Sequence, residues 1–149
     1  MNNMDYCVGE VKLSYHRKLM EAKDASMPDE AYRILRSTYS DEDIEYRESF
    51  KVLLMNHNYK VMGWTTISNG GITETAADVR MILQAALLSN ATCIMLCHNH
   101  PSGSLIPSRD DDRLTEKIRQ ACEIMRIHLI DHLILTDNSY YSYREKGRL

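Results

Sequence analysis

The stretch "ATCIMLCHNHPSGSLIPSRDDDR", residues 91–113, runs from an apolar segment through two histidines and a turn-forming loop into an acidic cluster. From Ala91 to Cys97 apolar and polar residues do not alternate, as expected of a strand buried on both faces. In an extended chain residues i and i+2 point to the same side, so His98 and His100 project together while Asn99 points away. After the loop, Leu114, Ile118, Ala121, Cys122 and Met125 recur at helical spacing and predict a helix over about 109–126. A doubly buried strand followed directly by an amphipathic helix belongs to a mixed α/β architecture.

Two readings of the histidines and aspartates compete. Two imidazoles on one side of a strand are spaced to share an ion, and an aspartate in the first turn of the returning helix supplies a third ligand. Two histidines and one carboxylate leave a tetrahedral zinc with one open position, the pattern of a catalytic site. Ser108 and Asp111, however, also spell a capping box, and acidic residues in a first turn complement the helix dipole without any metal. Residue types alone leave both readings standing.

The flanking segments supply the rest of the fold. "GEVKLSYH" (9–16) alternates like a strand, and "SMPDEAYRILRSTY" (26–39) reads as a helix with Ser26 as its cap and Pro28 in its first turn. "SDEDIEYRE" (40–48) is acidic and reads as a loop or frayed turn. "SFKVLLMN" and "KVMGWTTI" flank the turn "NHNY" and predict a hairpin. After "NGG" (69–71), Val79, Ile82, Leu83, Ala86 and Leu87 mark an amphipathic helix over about 75–89. "HLIDHLIL", "TDN" and "SYYSYRE" predict a closing hairpin. The expected order is β-α-β-β-α-β-α-β-β, a mixed α/β (α+β) fold with a single central sheet flanked by helices. Residues 1–40 form an N-terminal strand and helix extension, and 41–149 the main structural unit.

Bulk properties narrow the function. The 149 residues suit one domain, and 44% apolar with 26% charged residues is ordinary for a globular protein. A net charge of −3 argues against broad nucleic-acid binding, which needs excess Lys and Arg. No apolar run approaches the roughly 20 residues of a membrane span, and "MNNMDYCVGE" lacks the basic and apolar regions of a secretory signal, so a cytoplasmic location is expected. Cys7, Cys93, Cys97 and Cys122 form no C-x-x-C pair and read as buried thiols. His132 in "LIDHLIL" reads as a structural or ligand-supporting residue, His57 and His16 as surface, and Trp64, Tyr140, Tyr141 and Tyr143 as packing residues.

His98, His100, Ser108 and Asp111 match the H-x-H-x7-S-x2-D signature of the JAMM (JAB/MPN-type) metalloproteases, spacing included. "HNHPSG" with "PSRDD", then "DHLIL" and "YYSYREKG", resemble more narrowly the RadC-type branch of that family, over residues 30–149. The resemblance implies a cytidine-deaminase-like, JAB-type domain that binds Zn²⁺ through His98, His100 and Asp111. It also implies an upstream catalytic glutamate, which falls on Glu48 in "ESFKVLLMN", with Glu45 as the nearest rival. Glu48 would then act as general base and the Ser108 hydroxyl as donor to the oxyanion, in peptidase or isopeptidase chemistry on a peptide or protein. The alternative implied by the family's DNA-repair association is a DNA-binding protein or nuclease using the same metal. The chain departs from the branch at "ADVRM", which keeps only Arg80 of an H-P-R-E-like helix start, and at the apolar "SLI", a flap or substrate contact. About 40 residues precede the core, with no G-x-G hairpin, so the match is to a member without the N-terminal helix-hairpin-helix module.

Overall fold

The computed structural model describes residues 12, 14, 23–70 and 77–149. His16, Cys7 and all of the expected strand at 9–16 except residues 12 and 14 lie outside them. Helices α1 (Pro28–Arg36) and α2 (Asp41–Tyr46) lead into strands β1 (Ser49–Met55) and β2 (Val61–Asn69). Helix α3 (Val79–Leu88), strand β3 (Cys93–Asn99) and helix α4 (Arg109–Ile124) follow, and then β4 (His128–Leu135) and β5 (Tyr140–Ser142). The five strands form one sheet in the order β2-β1-β3-β4-β5, antiparallel except for the β3–β4 pair. Only that pair needs a long crossover, and α4 provides it.

The fold is mixed α/β, and the alternation of β1 and β3 explains how. Leu53, Met55, Cys93, Met95 and Cys97 face a core built with Ala31 and Leu35 of α1 and Ile44 of α2. Phe50, Val52, Leu54, Ile94 and Leu96 face the opposite core, with Ile82 and Ala86 of α3 and Ile118 and Cys122 of α4. Both strands are buried along their whole length, which is why β3 shows no polar alternation.

Several local expectations are corrected. The acidic segment 40–48 contains a helix, because the Ser40 side chain accepts from Asp43 N and caps α2, while buried Ile44 anchors it. Ser26 does not cap α1; Met27 occupies that position without a side-chain bond, and Ser26 N instead donates to Asp24 Oδ1. Helix α3 starts at Val79 behind the Asp78 cap, and Leu87 of its expected apolar face is exposed. The last strand stops at Ser142, where buried Asp131 accepts from Ser142 Oγ and Arg144 N and curls the chain into a turn. Cys93, Cys97 and Cys122 are buried free thiols, as expected. Burial pushes Cys97 up to about 12 and Cys122 to about 11, so neither is poised as a thiolate. Among the described residues no helix is long and apolar enough to cross a membrane.

Topology places one end of the sheet as the site. Phe50 pairs with His98 because β1 and β3 run antiparallel, so the start of β1 meets the end of β3. Glu48, one residue ahead of β1, therefore lies at the sheet end where the H-x-H begins.

Candidate metal centre

His98 is the penultimate residue of β3, and His100 N continues the ladder by donating to Leu135 O of β4. The two side chains project together, with Nε2 atoms 3.1 Å apart. The loop that follows turns at Gly103, whose φ of +76° is the left-handed region glycine tolerates best. That turn brings the Ser104 carbonyl within 2.8 Å of His100 Nδ1. A carbonyl only accepts, so His100 Nδ1 carries a proton, and in the neutral ring Nε2 is the lone pair.

The chain then enters α4 through a complete capping box. Ser108 Oγ accepts from Asp111 N, and Asp111 Oδ2 accepts from Ser108 N at 2.6 Å and Ser108 Oγ at 2.7 Å. These bonds fix one oxygen of Asp111 and leave Oδ1 aimed at His98 Nε2, 3.1 Å away. The cap and the convergence are thus one arrangement. His98, His100 and Asp111 can each offer one ligand atom, all within 4.8 Å of one another, and form a group able to hold a metal ion. An imidazole nitrogen facing a carboxylate is held there by a proton on the nitrogen or by a cation between them, and two imidazoles and a carboxylate converging on one point are a donor set that fits a metal.

Electrostatics follow the same geometry. Burial opposes charge on His100, but hydrogen bonds to Asp111 and the Ser104 carbonyl, with the more distant charge of Glu48, outweigh it and raise its pKa. Burial would likewise raise Asp111, yet hydrogen bonds from His100 and His98 hold its carboxyl well below the usual range. Glu48 is half-buried and Glu45 exposed. Ser108 is exposed at the helix start, beside the carboxylate it binds.

Around this group stand Asn99 and Thr115, whose roles sequence reasoning left out, and His132 and Tyr143, read from sequence as ligand-supporting or structural and as packing. Asn99, wholly buried, points to the opposite face, where Nδ2 donates to Ile44 O and Arg47 O and Oδ1 accepts from Ser49 N. It thereby ties down the backbone on both sides of Glu48. Thr115, one turn beyond Asp111, bonds to His132 Nδ1, and His132 Nε2 faces His98 Nδ1. Tyr143 stacks on His132 and donates to Asp112 Oδ1. The available signal was polarity at positions whose neighbours demand burial: Asn99 between two candidate ligands and Thr115 on the apolar face of α4. His57 is exposed, Arg80 pairs with Asp78 on the surface, and Trp64 is part-exposed with Lys51 Nζ 4.8 Å from its ring.

A family model described as a RadC-like JAB domain matches residues 25–148. The chain belongs to the RadC-like JAB domain family. Its relatives include a UPF0758 protein of Flavobacterium johnsoniae, 45% identical over 100 residues, which cover 67% of this chain and 44% of the relative. A UPF0758 protein of Streptococcus gordonii is 48% identical over 103 residues, or 69% of this chain and 46% of the relative. One from Streptococcus sanguinis is 43% identical over 100 residues, with 67% and 44% covered. The matches thus span less than half the length of these curated relatives. Within the RadC-like domain, the histidines, Ser108 and Asp111 all lie inside the matched residues.

Proposed function

We propose that this RadC-like domain is a zinc-dependent hydrolase that cleaves amide or isopeptide bonds in a peptide or protein. The observation that carries this reading is the convergence of His98 Nε2, His100 Nε2 and the Asp111 carboxylate at the open end of the sheet. Zinc suits this donor set, with a fourth position for a water whose pKa it would lower from about 15.7 towards about 7. The protein residues do the rest. Glu48, whose charge reaches His100, acts as general base, taking a proton from the attacking water and passing it to the leaving nitrogen. The Ser108 hydroxyl, bonded to Asp111 Oδ2, turns from that carboxylate to donate to the developing oxyanion. Ile106, 77% exposed in the loop between the ligands, offers an apolar contact that suits a peptide side chain better than a phosphodiester.

The test is a cleavage screen of the zinc-loaded protein against peptide and isopeptide-linked libraries. Wild type is expected to cut, and Glu48→Gln to lose about 10²–10⁴-fold in rate with its zinc content unchanged. Equal cleavage by Glu48→Gln, or hydrolysis of DNA in place of peptides, would contradict the reading.

A further inference from the structure

We infer that His132 is a positioning residue of this centre: it accepts from His98 Nδ1 and, through the Thr115 hydroxyl, ties that ring to the turn of α4 that carries Asp111. The inference rests on the reading that His98 and Asp111 are metal ligands. Thr115 Oγ1 lies 2.6 Å from Asp111 O and 2.6 Å from His132 Nδ1. A hydroxyl has one proton, and a carbonyl can only accept, so the proton goes to Asp111 O. Thr115 Oγ1 must then accept from His132 Nδ1–H. The His132 ring is wholly buried and, among the described residues, hydrogen-bonds only to Thr115 and His98, so it is neutral with a single N–H. Its Nε2 is therefore the lone pair facing His98 Nδ1 at 2.8 Å, and His98 donates to it.

In the neutral ring that assignment leaves His98 Nε2 as a lone pair aimed at the centre, the form a metal requires. The chain of hydrogen bonds runs from Asp111 O through Thr115 and His132 to His98, and a metal held between His98 Nε2 and Asp111 Oδ1, which lie 3.1 Å apart, would close it into a circuit. Two ligands from different elements are thus oriented by one chain of hydrogen bonds. Aromatic packing holds the relay in plane: Tyr143 stacks on His132 at 5.0 Å and 10°, and Phe50 meets it tilted at 5.6 Å. Tyr143 O–H donates to Asp112 Oδ1, so the segment after β5 braces the same helix start.

Zinc affinity, measured by competition with a chromophoric chelator, tests the role. His132→Leu is expected to weaken zinc binding about 10–100-fold. His132→Gln, whose side-chain carbonyl can accept from His98, recovers most of that loss. Thr115→Val weakens binding less than His132→Leu, and Thr115→Ser stays near wild type. In the zinc-loaded protein a solvent-protected His98 Nδ1–H resonance is expected in wild type and His132→Gln and not in His132→Leu. A merely structural histidine would lower the melting temperature of both His132 variants while leaving the affinity of the folded protein unchanged, and that result overturns the inference. Should His132→Leu fail to fold, equal affinity in Thr115→Val and Thr115→Ser overturns it as well. A wild type with no zinc affinity overturns the metal reading itself, and this role with it.

Discussion

The two faces at the end of β3 do different work with adjacent residues. On one face His98 and His100 turn their nitrogens to a shared point at the mouth of α4. On the other, Cys97 packs with Tyr39, and Asn99 holds three backbone groups between α2 and β1. The first face gathers two imidazoles and a carboxylate around a point a cation could share; on the second, the buried Asn99 amide spends both its oxygen and its nitrogen on backbone groups. A strand's two-residue period separates a candidate metal-binding surface from its scaffold within four positions. The scaffold face is still coupled to the proposed chemistry, because Asn99 grips the residues on either side of Glu48.

Substitutions on the two faces should therefore separate metal binding from stability. The largest effect is expected from His98→Ala, which removes zinc binding while the sheet stays folded; retention of zinc would break the division. Asn99→Ala should do the reverse. It leaves buried Ile44 O and Ser49 N without the Asn99 amide, at about 1–3 kcal/mol each before relaxation, and frees the part-buried Arg47 O at smaller cost, so denaturant melts should show a loss of a few kcal/mol with zinc stoichiometry kept. Ser108→Ala removes the α4 cap and should cost about 1 kcal/mol, with a modest fall in zinc affinity as Asp111 gains freedom.

The smallest expected effect is one of pH. The pKa of His100 is raised above 6.5 in the folded, metal-free protein, because its bonds to Asp111 and Ser104 outweigh the burial that would lower it. Its contribution to metal-free stability is thus fully present below pH 6.5 and is lost as pH rises through the folded value. Zinc needs the neutral ring, so zinc affinity should move the other way and grow over the same range. Parallel pH slopes for melting of the metal-free protein and for zinc affinity would contradict this.

Much of this was legible in the sequence where one period governed one element. The unbroken apolar run of β3, the stripe of α4 and the H-x-H followed by Ser108 and Asp111 each state their own structure. Helix α2 was not legible, because its six residues carry one buried side chain, Ile44, and their acidity reads as solvated surface until Ser40 is seen capping them. The turn after Ser142 was hidden because its organiser, Asp131, lies eleven residues earlier in another strand. The Asn99 anchor and the Thr115 partner of His132 escaped for the same reason, although His132 itself reads from sequence as a structural or ligand-supporting residue. Their partners are distant in sequence, and a lone polar residue in an apolar stretch does not say what it bonds.

The most direct test of the central claim is anomalous diffraction at the zinc edge from crystals of the zinc-loaded protein. One peak is predicted, about 2.0–2.2 Å from His98 Nε2, His100 Nε2 and an Asp111 oxygen. A peak elsewhere, such as at the surface His57 or His128, or no peak at the end of β3, would contradict the account.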